Sequence, residues 1–249
     1  MPNIIEVKNL KKSYEQVHAI KGLSFAMAKG ELLSLLGPNG AGKSTTIDIL
    51  CTLQKQDEGQ ATVCGLTLGK DDFMIKQKIG VVFQSSLLDS LLTGRENLEL
   101  RAGLYTKELS RAKQSAHEAA LAVGAMEFLD RPYGKLSGGQ RRKIDIARSL
   151  LHKPDLLFLD EPTAGLDPLA RQSVWEMILQ LQKQRNMSIL LTTHYMEEAV
   201  VSHNIIMLNQ GMIVAHGSPR NLKDKYQAGT LDEVFLKVAK QEVNYEYYR

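Results

Sequence analysis

The chain has 249 residues, 43% of them hydrophobic, and a formal net charge of +3 spread without a dense Lys/Arg block. That length buries one substantial core, and the charge pattern gives no reason to expect a nucleic acid or another polyanion as partner. Cys51 and Cys64 lack metal-ligand spacing, no apolar h-region follows Met1, and no apolar run reaches the roughly 20 residues of a membrane helix, so free thiols in a cytosolic, non-spanning chain are expected.

In chain order, the segment to about Lys29 reads as short strands and turns, "IIEVKNL" and then "AIKGLSFAM". "ELLSLLG" is a short, nearly continuous apolar run, the pattern of a parallel strand covered on both faces. It leads into "GPNGAGKST", in which Gly37, Gly42, Lys43 and Ser44 satisfy G-x-x-x-x-G-K-[ST]. The backbone N–H groups of such a loop wrap phosphates, its lysine reaches the β and γ groups, and the Ser44 hydroxyl ligates Mg²⁺. Behind it, "KSTTIDILCTL" places Ile47, Leu50 and, if the helix persists that far, Leu53 on one face. The loop thus opens onto a helix N-terminus, where N–H groups and the macrodipole favour an anion. An ordinary strand-to-helix turn is the plainer reading, and the spacing and context favour the cradle.

After "IGVVF" comes Gln84, and the pattern turns helical, predicting an inserted subdomain at about residues 87–148 of a single domain spanning 1–249. Thr93 and Glu96 have capping-box spacing before "ENLELRAGLY", and Ser110 precedes a second helix, "RAKQSAHEAALAVGAMEFL". Leu87, Leu88, Leu91 and Leu92 are either core, the commoner fate, or a groove for a partner helix. In "LSGGQRRKIDIARSLL", Ile144, Ala147, Leu150 and Leu151 recur at helical spacing behind Ser137, Gly138 and Gly139. This is a second helix N-terminus with an N-cap hydroxyl and unobstructed backbone, hence a second anion site, or else a simple capped turn. Two phosphate-reading ends in one chain make sense if two copies meet head to tail.

Next, the apolar strand Leu156 to Leu159 ends in Asp160 and Glu161. Adjacent carboxylates at the end of a buried strand are costly unless a cation compensates them. Asp160, through water, and Ser44 would hold Mg²⁺, leaving Glu161 to polarise a water for in-line attack on a γ-phosphate. The plainer reading has both capping the turn before Pro162. "SILLTT" precedes His194, and "NIIMLNQGMIVAHGSP" reads as two strands around an Asn-Gln-Gly turn. Thr230 and Glu233 again have capping-box spacing, with Leu231, Val234, Phe235 and Val238 on one face of a closing helix and tail over about 230–249.

"GPNGAGKST", "LSGGQ" and "LLFLDEP", in that order, resemble the Walker A, signature and Walker B motifs of ATP-binding cassette (ABC) ATPases, and the resemblance runs from about Ile4 to Val238. It implies an α/β fold: a P-loop NTPase core with a parallel sheet, an N-terminal antiparallel β subdomain and an inserted α-helical subdomain. It implies that Gly37, Pro38, Asn39, Gly40, Ala41, Gly42, Lys43, Ser44 and Thr45 hold ATP and that Tyr14 stacks on adenine. Gln84 corresponds to the Q-loop glutamine, which joins Ser44 and Asp160 around Mg²⁺. Asp167 in "AGLDP" corresponds to the D-loop aspartate, and His194 to the switch histidine, catalytic beside Glu161 and Lys43. Ser137, Gly138, Gly139 and Gln140 would read the nucleotide of a second copy.

"SLLTGRENL" and the closing helix resemble the cassettes of ABC-2 type exporters of the drug-resistance and sodium-efflux kind. This implies ATP hydrolysis that powers export through separate membrane permease subunits, from the cytoplasmic face of the membrane. Asn204 in "SHNII" departs from the Asp often found there. A ribosome-associated protein would carry two cassettes, and a chromosome-maintenance ATPase would carry long heptad arms. A soluble assembly ATPase of the iron-sulfur type is excluded by no motif.

Overall fold

The computed structural model describes residues 2–246. In chain order the strands are β1 (Asn3–Tyr14), β2 (Val17–Ala28), β3 (Leu32–Leu36), β4 (Glu58–Val63), β5 (Leu66–Thr67), β6 (Ile79–Val82), β7 (Leu156–Asp160), β8 (Ser188–Thr193), β9 (Asn204–Asn209) and β10 (Met212–Gly217). The helices are α1 (Lys43–Leu50), α2 (Asp72–Lys78), α3 (Gly94–Ala102), α4 (Leu109–Ala122), α5 (Gly138–Leu150), α6 (Pro168–Arg185), α7 (Met196–Ala199), α8 (Pro219–Lys225) and α9 (Leu231–Glu246). They fall into two compact units: one comprises the chain to Ile75 and from Ser188 onward, the other Lys76–Met187.

In the first unit, β2, β1, β4 and β5 form an antiparallel sheet in that order. Its first two strands are 12 residues each, longer than the short strands expected. Register shifts explain the difference, because β1 continues past its interruption with Asn9 at φ 48° and its N–H bonded to Ser24 Oγ at 2.9 Å. The other strands of the unit run β10-β9-β3-β8. β3 is parallel to both neighbours and buried at all five residues, which is why its sequence is nearly continuously apolar. Its one polar residue, Ser34, is satisfied by Ser202 Oγ at 2.6 Å.

β9 and β10 form the expected hairpin, with Gln210 and Gly211 both at positive φ as a tight two-residue turn requires. In α9, Leu231, Val234 and Val238 pack with Leu36, Met207 and Leu222, and Phe235 lies against the same cluster. Thr230 Oγ1 accepts from Glu233 N, while the Glu233 carboxylate accepts from Gly229 N. Residues 247–249 of the expected tail lie outside the described residues. α1 buries Ile47 and Leu50 as expected but ends there, so Leu53 falls beyond it and is exposed.

The second unit carries the parallel pair β6–β7 and helices α3 to α6. Thr93 and Glu96 complete a capping box on α3. Ser110 does not cap α4: the helix starts at Leu109, with Glu108 N bonded to Thr106 Oγ1 just before it. Among the four leucines between Gln84 and α3, Leu87 and Leu91 are exposed and Leu88 and Leu92 are only half-buried. The core alternative therefore does not hold.

Candidate functional site

β3 delivers the chain into the glycine-rich loop, whose path is set by neighbours of the first unit. A methyl group on Gly37 would overlap the Leu208 carbonyl, and one on Gly42, at φ 101°, would come within 2.7 Å of the Ala19 carbonyl. The hairpin turn braces the loop from the other side, Gly211 N donating to Ala41 O at 3.2 Å while Lys21 N donates to Gly211 O at 2.9 Å. Within the loop Ala41 N reaches Pro38 O, and Thr46 Oγ1 caps Gly42 O at 2.8 Å. Pro38, Asn39 and Gly40 are exposed, as is Ser44, while Thr45 is half-buried.

The Lys43 side chain is buried, and its Nζ donates to Gly37 O at 2.8 Å and Pro38 O at 3.0 Å. The ammonium is thereby held across the loop. A glycine cradle that side chains would fill, a lysine folded over it and an exposed hydroxyl at the first turn of α1 fit the phosphate chain of a nucleotide and its Mg²⁺.

His194 follows β8 in the same unit, half-buried, its ring 4.0 Å from that of Tyr195. Thr193 Oγ1 accepts from Tyr195 N and donates to the buried Glu198 at 2.8 Å, which sets the turn that presents His194. Thr193 and Glu198 are supports that no sequence spacing marks. Tyr14 is the last residue of β1, half-exposed, with Lys12 Nζ 5.4 Å from its ring centroid.

The remaining residues belong to the second unit. Gln84 is exposed two residues beyond β6. Asp160 ends β7, and Glu161 follows in a left-handed conformation, φ 44°, uncommon for a residue with a side chain and often found at functional sites. Ser137 caps α5: its Oγ accepts from Gln140 N at 3.3 Å while Gln140 Oε1 accepts from Ser137 N at 3.1 Å. Gln140 is thus the reciprocal partner of the cap expected at Ser137, a role for which the S-x-x-Q spacing is the sequence signal.

A methyl on Gly138 would meet Leu166 Cδ2 at 2.9 Å, and one on Gly139 would meet Ala170 Cβ at the same distance. These glycines thus serve close packing as well as open backbone. Asp167 caps α6 through Ala170 N at 3.0 Å, ahead of Pro168. Arg142, which sequence reasoning passed over, donates to the carbonyls of Phe83, Gln84 and Glu161. Among the described residues no cluster of three metal-ligating His, Cys, Asp or Glu side chains occurs, and no helix is long and apolar enough to cross a membrane.

Residues 20–164 match the family model for the ABC transporter. The chain is 39% identical over 229 residues to the linearmycin resistance ATP-binding protein LnrL of Bacillus subtilis (strain 168), covering 92% of this chain and 73% of that protein. It is 40% identical to the Nod factor export ATP-binding protein I of Rhizobium sp. (strain N33), covering 93% of this chain and 76% of that one. Among solved structures it is similar to the ATP-binding cassette MJ0796 in a dimeric, post-hydrolysis state bound to ADP and Pi. The TM-score is 0.77 at 27% identity, covering 86% of this chain and 98% of that one. The glycine cradle with its buried lysine, the capped Ser-Gly-Gly helix end, the Asp-Glu strand terminus and these matches agree: the chain belongs to the ABC transporter family and is one of its ATP-binding cassette ATPases.

Proposed function

We propose that the chain is the ATP-hydrolysing subunit of an exporter, peripheral to the membrane and working through separate permease subunits of the ABC-2 type. Relatives named for resistance and export support this over an assembly ATPase of the iron-sulfur type. Two copies are proposed to meet head to tail; the similar MJ0796 cassette is dimeric, which supports pairing of two cassettes. Each joins the loop from Gly37 to Thr45, with Tyr14 against the base, to Ser137, Gly138, Gly139 and Asp167 of the other.

Lys43 neutralises and orients the terminal phosphates, His194 donates to the γ-phosphate, and Glu161 accepts the proton of the attacking water. Ser44, Gln84 and Asp160 would hold Mg²⁺, which when bound supplies charge neutralisation at the β and γ groups. The exposed Leu87 and Leu91 offer a permease an apolar contact.

The observation that carries this reading is the loop itself, in which Gly37 and Gly42 leave no room for a side chain and over which the lysine is folded. A mixed dimer tests it. A Lys43→Ala chain and a Ser137→Asp chain should each be inactive alone, the second because a carboxylate faces the γ-phosphate while Asp still caps α5. Paired in one doubly tagged dimer, they rebuild one intact site and should cleave bound ATP in a single turnover. A confirmed mixed dimer with no cleavage above either homodimer would sink the shared site. Ser137→Asp is preferable to a Gly139 change, whose new Cβ would collide with Ala170.

A further inference from the structure

Arg142 lies one turn into α5, only 7% exposed. Its Nη1 donates to Phe83 O at 2.8 Å, and its Nη2 donates to Gln84 O at 3.2 Å and Glu161 O at 3.4 Å. One guanidinium therefore touches the backbone on both sides of Gln84 and the backbone of Glu161, a residue whose left-handed conformation its surroundings must hold.

A turn further along α5, the buried Asp145 accepts from Ser86 Oγ at 2.6 Å. The Tyr133 hydroxyl sits 3.1 Å from each Asp145 oxygen and 2.8 Å from Ser86 Oγ. Burial raises the Asp145 pKa above the ordinary carboxylate range, and the nearby Arg142 charge opposes that rise. Ser86 is two residues from Gln84 and Tyr133 four residues before Ser137, so the cluster joins three segments of the second unit. These are the chain after β6, the approach to the signature helix, and the end of β7.

We propose that Arg142 is a positioning residue for ATP hydrolysis: its fork across the carbonyls of Phe83, Gln84 and Glu161 holds the Gln84 and Glu161 side chains in register with the signature helix. Neither role of Arg142 requires contact with nucleotide. A carbonyl fixes where its own side chain leaves the backbone, and a shift of about 1 Å in a reacting group costs on the order of 100-fold in rate. The inference rests on the assignment of Gln84 and Glu161 proposed above.

The test uses the full chain with MgATP and measures single-turnover cleavage, MgATP affinity by calorimetry and melting temperature for Arg142→Lys, Arg142→Ala and Glu161→Gln. Arg142→Lys keeps a cation beside Asp145 but has one amine where the fork has two arms. It should bind MgATP normally and cleave it about tenfold or more slowly. Arg142→Ala should be slower still, and added guanidinium should restore part of its rate, while Glu161→Gln gains nothing from guanidinium. Wild-type cleavage by Arg142→Lys, beside an inert Glu161→Gln, overturns the inference alone. Normal turnover by Glu161→Gln overturns the Glu161 assignment and the inference with it. Cleavage, affinity and melting temperature falling together in both Arg142 variants, without guanidinium rescue, would mark a structural role and also overturn it. If Arg142→Ala does not fold, Arg142→Lys decides.

Discussion

The Asn204 side-chain amide donates to Glu31 Oε1 at 2.6 Å, and the other oxygen of the buried Glu31 accepts from Ala28 N at 2.7 Å. This pair accounts for the asparagine at a position where the family resemblance implied an aspartate, because an amide satisfies the carboxylate and a second carboxylate would repel it. Asn204→Asp should lower stability at neutral pH by about 1–3 kcal/mol. Thermal melts of both chains at neutral pH check this, and an unchanged melting temperature would refute it.

Lys43 and Glu161 should separate binding from turnover. Lys43→Ala loses the cation held over the loop and should weaken MgATP binding by at least about tenfold. Glu161→Gln keeps the shape but cannot take the proton, so it should bind MgATP with near wild-type affinity and lose about 100-fold or more in steady-state turnover. Calorimetry and phosphate release distinguish the two, and equal affinity in Lys43→Ala would count against the cradle.

Leu87 and Leu91 are 51% and 86% exposed, so replacing both by Ser removes little buried area. The double variant should keep its melting temperature within about 2 °C and its basal ATPase rate, since surface changes rarely exceed about 0.5 kcal/mol. Co-purification with its permease should fall. A large drop in melting temperature would return these leucines to the core.

Burial, aided by the nearby Arg148 charge, holds the His152 imidazole below the ordinary histidine value, while Nε2 bonds Ile79 O at 2.9 Å. The folded state then binds fewer protons than the unfolded chain once pH falls below about 6.5. Stability from this residue is therefore complete above that pH and is lost as pH falls toward the depressed folded-state value. His152→Gln keeps a donor for Ile79 O and should lose less melting temperature between about pH 7 and pH 5 than the parent chain does. Identical slopes would remove His152 as a source of acid lability.

The sequence by itself determined what depends on near neighbours along the chain. The apolar run into the glycine loop, the hydroxyl caps at Thr93, Ser137 and Thr230, the tight turn at Gln210–Gly211 and the spacing of Lys43 and Ser44 are all short-range patterns. A strand, a cap or a tight turn is specified within a few residues, so such patterns survive translation into structure. Two elements departed from these patterns: register shifts against β2 let β1 run past Asn9, and α4 began at Leu109, one residue before Ser110, after a local Thr106–Glu108 turn.

Only the tertiary structure decided which side chains share a neighbourhood. Arg142 meets Phe83 across 59 positions and Glu161 across 19, spacings that carry no periodic signal. The left-handed backbone at Glu161, the collision that excludes a side chain at Gly42 and the exposure of Leu91 are likewise products of what packs nearby. A leucine in a loop is core or surface according to whether another segment covers it, and that covering segment is chosen by the fold as a whole.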